Sequence, residues 1–118
     1  MTTTQELAEF IVETNFNDLP EDVRRHAKFC ILDWLGASLA GSVEAPAKII
    51  CSIIRGLGGR RESTIIGADA KTACVNAALA NGIIGHTVEL DDVHELSLIH
   101  PAAPVLPAAL AIAERCDS

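Results

Sequence analysis

The sequence predicts an all-α fold, a packed helical domain of about five helices. Three observations predict it. Hydrophobic residues make up 49% of the chain and aromatics only 3%, so the apolar mass is Ala, Ile, Leu and Val. Such a chain suits close helix packing better than a β-sandwich. Apolar residues also recur at i, i+3 and i+4, and Gly and Pro fall between those runs. At 118 residues the chain is at most one domain, spanning residues 1–118.

The first helix is expected from a cap at Thr3 or Thr4 to about Asn15, with Leu7, Phe10 and Ile11 on one face. The run Asn15–Pro20 reads as a turn. A second helix is expected from Pro20 to about Ala40, because Pro fits a first helical turn and Glu21 and Asp22 suit its positive end. Val23, Ala27, Cys30, Ile31, Trp34, Leu35 and Leu39 form its apolar face. Gly36, Ala37, Ser38, Ala40 and Gly41 make a small-residue face that lets another helix approach closely. A third helix is expected over Ala45–Leu57, with Ile49, Ile50, Ile53 and Ile54 buried. Gly58–Ala70 is the least helical stretch, with a short extended piece over Ser63–Ile66.

The fourth helix is expected from Lys71 or Thr72 to Leu90, apolar nearly all round and therefore buried all round. A loop follows over Asp91–Ile99. The fifth helix is expected over Pro101–Ala113, because Pro disfavours helix at His100 before it. Two helices apolar on every side need more cover than three short amphipathic ones supply. The chain is therefore expected to be the N-terminal part of a larger all-helical domain, or to pair tightly with something.

A net charge of −7 argues against nucleic acid or an anionic membrane as partner. Cys30, Cys51, Cys74 and Cys116 form no CxxC pair, so neither a zinc ribbon nor a thioredoxin motif is expected. They read as reduced thiols of a cytoplasmic protein. The N-terminus lacks a basic and an apolar region, so no signal peptide is expected. The apolar run over residues 73–84 is too short to cross a bilayer.

The chemistry concentrates in NGIIGHTVELDDVHELSLIHP, Asn81–Pro101. Three of the four histidines lie here, His86, His94 and His100, with Glu89, Asp91, Asp92 and Glu95. Imidazoles titrate near neutrality and buried carboxylates can be tuned, so such a set can move protons. Oxygen and nitrogen ligands can also hold a metal, but the spacing is neither HExxH nor an EF-hand, and no metal or other cofactor is expected. His86, on an apolar helix, reads as a core histidine. Asp91 and Asp92 read as acceptors for loop backbone N–H groups. Two other classes stay open: a non-catalytic helical interaction module, which binds without turnover, and a metal-binding helical domain, which added metal stabilises.

The run GHTVELDDVHELSLIHPAAPVLPAALAIAE resembles the N-terminal helical domain of the MmgE/PrpD family. DWLGASLAGS (Asp33–Ser42), STIIG (Ser63–Gly67) and AALANGIIGH (Ala77–His86) follow the family's order and spacing. That family includes 2-methylcitrate dehydratase, cis-aconitate decarboxylase and iminodisuccinate epimerase. The resemblance implies proton transfer next to a carboxylate in a di- or tricarboxylic acid, without an iron–sulfur cluster. It also implies a longer protein, usually a homodimer, of which this chain is about the first quarter, and basic residues supplied later in the chain. By the same resemblance His100, the histidine before proline, is a catalytic acid/base candidate. Glu89 occupies the first acidic position of the family's D-F-D-D-T-type run, one methylene longer. Val93 replaces its Thr and cannot hydrogen-bond through its side chain. His94 is expected to contact substrate or support the site, with Asp91, Asp92 and Ser97 around it.

Overall fold

The computed structural model describes residues 1–117; Ser118 lies outside them. The described residues form five α-helices, α1 Thr3–Glu13, α2 Glu21–Gly41, α3 Ala45–Leu57, α4 Cys74–His86 and α5 Ala102–Cys116, of which α2, α3 and α5 pack against α4. Two short strands, β1 Ser63–Thr64 and β2 Lys71–Thr72, pair antiparallel between α3 and α4. The all-α expectation holds, with this hairpin as its one sheet element among the described residues. No single described helix is long and apolar enough to cross a membrane.

Local chemistry sets the boundaries. Thr2, not Thr3 or Thr4, caps α1: its hydroxyl accepts from the Gln5 N–H while Gln5 Oε1 accepts from the Thr2 N–H. Helix α3 begins with Pro46 in its first turn and ends at Gly58, whose φ of 67° suits glycine. Helix α2 turns into α3 through 87°. Helix α5 carries Pro107 in its interior. A proline there cannot donate to the carbonyl four residues back, Ala103. Gly82 of α4 lies against that carbonyl and against the Pro107 ring, so the two helices meet closely where the bond is missing.

The core lies between α2, α3 and α4. Ala47, Ile50, Ile54, Ile65, Ala80 and Ile84 form one buried cluster. Trp34 is fully buried beside them. The small-residue face of α2 acts as expected at its C-terminal end. A Cβ at Gly41 would strike the Ile84 carbonyl, and one at Gly85 would strike the Trp34 indole. Ala37 and Ser38 are buried with them, whereas Gly36 faces open space. These contacts hold the C-terminal end of α4 against α2.

Several packing expectations fail in one direction: apolar faces stay bare. Helix α1 buries no residue. Val23 and Leu39 of α2 are exposed, and so are Ile49 and Ile53 of α3. On α4 the stripe Val75, Leu79 and Ile83 is uncovered, so this helix is bare along one side instead of buried all round. The described helices cover α4 from α2, α3 and α5, and none lies over that stripe. Helix α4 is also shorter than expected. Lys71 and Thr72 pair in the hairpin, and the helix stops at His86.

The hairpin is tied to α5. Glu114 accepts from the Thr64 N–H and hydroxyl and from Lys71 Nζ, at 2.7–3.2 Å. Burial pushes the Glu114 carboxyl upward, but the Thr64 and Lys71 hydrogen bonds outweigh it and hold the group below its ordinary value of 4.5. A carboxyl lowered on folding stabilises the fold above its unfolded value and loses that contribution as pH falls through its folded value. Stability is therefore expected to decline as pH drops below about 4.5, and Glu114→Gln to flatten that part of the curve. Thermal melts between pH 3 and 6 check this; identical pH slopes in both proteins would refute it.

Candidate active site

The chain between α4 and α5 folds back on itself. After His86 the Glu89 N–H donates to the His86 carbonyl at 3.1 Å, and Glu89 adopts a left-handed φ of 50°. That conformation is costly for a residue with a Cβ. It turns the chain so that Asp91 arrives beneath the end of α4. Further on, His94 and Ile99 form an antiparallel bridge that closes a small loop, with Leu98 at φ 53°. The loop delivers His100 to the start of α5.

Three side chains from these segments converge. The Asp91 side chain is fully buried. Nδ1 of His86 lies 3.1 Å from both its oxygens. Nδ1 of His100 lies 3.4 Å from Oδ1, an ion-pair distance without hydrogen-bond alignment. That nitrogen is buried and has no hydrogen-bond partner among the described residues. The two imidazoles meet edge to face, with ring centroids 4.6 Å apart and planes at 64°. A buried carboxylate beside two imidazoles is an arrangement suited to general acid–base chemistry.

Asp91 does not accept loop N–H bonds among the described residues; it faces the imidazoles. Asp92 does take the expected role. Its Oδ1 accepts from the Ala102 N–H at 3.0 Å and satisfies one free donor at the start of α5. Asp92→Ala is expected to cost about 1 kcal/mol, as for loss of a helix cap. Chemical denaturation measures it; a cost near zero would remove Asp92 from this role.

His86 is not a core histidine. Its side chain is 46% exposed and joins Asp91 to a groove. That groove, about 640 Å³, runs between α4 and α5, lined by Leu79, Gly82, Ile83, Pro104 and Pro107, with His86 and Glu89 at one end. Glu89 is exposed at its rim, and among the described residues no hydrogen bond or ion pair joins it to His100. His94 and Ser97 stay in their own loop, Nδ1 to Oγ at 2.6 Å, both exposed. The sequence signal for His86 was its place within the acid- and histidine-rich stretch, five residues before Asp91.

The family model for the MmgE/PrpD N-terminal domain matches residues 5–118. The cis-aconitate decarboxylase-like protein oryM of Aspergillus oryzae is 32% identical over 111 residues. Cis-aconitate decarboxylase of Aspergillus terreus is 29% identical over the same length. Each alignment covers 94% of this chain and 23% of the relative. The chain therefore spans about a quarter of the length of the relatives it matches. With its ordered motifs, its helical fold and that match across nearly its whole length, the chain belongs to the MmgE/PrpD family.

Proposed function

We propose that the full-length protein moves a proton at a carbon next to a carboxylate of a di- or tricarboxylic acid. The reaction is of lyase or isomerase type: dehydration, decarboxylation or epimerisation. One observation carries this reading. A buried carboxylate stands between two imidazoles, one of which, His86, lines an open groove, in a chain similar to cis-aconitate decarboxylases.

His100 exchanges the proton with the substrate carbon or with its leaving group. Asp91, 3.4 Å from His100 Nδ1, stabilises by its charge the imidazolium that forms. Glu89, at the groove rim, serves as the second proton-handling group. His94 and Ser97 contact substrate from the loop once the rest of the protein closes over it. A polycarboxylate and its enolate-like intermediate need cations. Among the described residues no Lys or Arg lines the groove. The remainder of the full-length protein supplies them.

The test is to incubate the full-length protein and the 118-residue chain separately with cis-aconitate, 2-methylcitrate and related substituted polycarboxylates. The full-length protein is expected to consume at least one, and the short chain none. Turnover by the short chain would contradict the reading, as would inertness of the full-length protein toward the whole panel.

A docking role without catalysis is the second reading, favoured by α1, whose Leu7, Phe10 and Ile11 are all exposed. Homodimerisation of the complete protein would cover such faces. Light scattering that gives a monomer would argue against the dimer.

A further inference from the structure

The sequence spacing of His86, Asp91 and His100 matches no metal motif, yet the fold brings three ligand types to one point. We propose that these residues bind a single divalent transition-metal ion of the zinc class. One ligand atom from each lies within 4.8 Å of the others. The His86–Asp91 and His100–Asp91 pairs already stand at 3.1 and 3.4 Å. Tetrahedral zinc with bonds of about 2.0–2.2 Å sets its ligand atoms roughly 3.4 Å apart. Two of the three separations are therefore in place, and small rotations about the imidazole side-chain bonds close the third.

The unmet demands of the site point the same way. The Asp91 carboxylate has no water contact and no backbone donor among the described residues. Nδ1 of His100 is buried without a hydrogen-bond partner. A cation between them meets both needs. Two imidazoles with one carboxylate favour zinc, cobalt, nickel or copper over magnesium and calcium, which prefer oxygen. His86 is half exposed beside the groove, so a further coordination position faces solvent. An ion on His100 Nδ1 leaves Nε2 carrying the proton, with no lone pair to act as a base, so it should inhibit the enzyme. That consequence rests on the proton-transfer reading; the binding itself does not.

The experiment titrates the protein with cobalt(II) chloride, follows the visible d–d bands, and then displaces cobalt with zinc. The expected result is one ion per chain in a four- or five-coordinate spectrum without a thiolate charge-transfer band. His86→Gln and Asp91→Asn are each expected to weaken binding at least about 10-fold, and His94→Gln to leave it unchanged. Circular dichroism confirms that each variant stays helical; His86→Gln, at a half-exposed position, keeps the test decisive if Asp91→Asn unfolds. Lack of saturation by about 1 mM cobalt, a thiolate band, or full affinity in His86→Gln would each overturn the proposal. If the full-length protein proves catalytically inert but binds cobalt at these residues, the proton-transfer reading fails and the metal site stands.

Discussion

His100→Gln is expected to lower turnover by the full-length protein about 10²–10⁴-fold, the range general acid–base groups contribute. Gln keeps polarity and approximate size but cannot exchange a proton near neutral pH. The fold should survive, because His100 lies before α5 in a partly exposed position and its Nδ1 makes no hydrogen bond among the described residues. The loss should fall on kcat more than on KM, since the imidazole acts on the reacting carbon. Steady-state kinetics with whichever polycarboxylate is consumed measures both. An unchanged kcat in a folded variant would take His100 out of the mechanism.

Trp34→Ala is expected to destabilise the chain by about 3–5 kcal/mol, the usual cost of emptying a large aromatic site. Trp34 is fully buried and its indole lies against Gly85, the residue before His86. Removing it leaves a cavity beneath the end of α4 that supports the site. Trp34→Phe should cost far less, because the indole N–H has no hydrogen-bond partner among the described residues to lose. Urea unfolding of the three proteins separates the cases. Equal losses for Ala and Phe would show that Trp34 matters through its N–H and not its volume.

The helices were readable where local chemistry marks their ends. Pro46 and Gly58 bound α3, and its expected range Ala45–Leu57 is the observed one. Helix α4 was overextended at both ends for physical reasons. Lys71 and Thr72 fit a helical pattern, but their partners in β1 are seven and nine residues away, and local periodicity does not register them. At the other end, Glu89 takes a left-handed conformation that its residue type does not favour, so the turn carries no local mark. Burial was the least legible property. An apolar stripe such as Val75, Leu79 and Ile83 looks the same in sequence whether or not a neighbour covers it.

The candidate site was legible as a stretch and not as a geometry. His100 and the acidic run could be singled out, but Asp91 and Asp92 are chemically identical neighbours. Only the path of the loop decides that Asp91 meets the imidazoles while Asp92 caps α5. His86 looked like a core residue because its helix is apolar. It is the last residue of that helix, where the chain doubles back and brings its ring to Asp91.

Whether His86, Asp91 and His100 form a proton-transfer centre is tested most directly by solvent exchange. The full-length protein and its Asp91→Asn variant are incubated in D2O with substituted di- and tricarboxylates, and deuterium at the carbon next to a carboxylate is followed by proton NMR. Exchange is predicted in the native protein and a drop of at least about 100-fold in a folded Asp91→Asn variant. Equal exchange in the two proteins, or none in the native one, would contradict it.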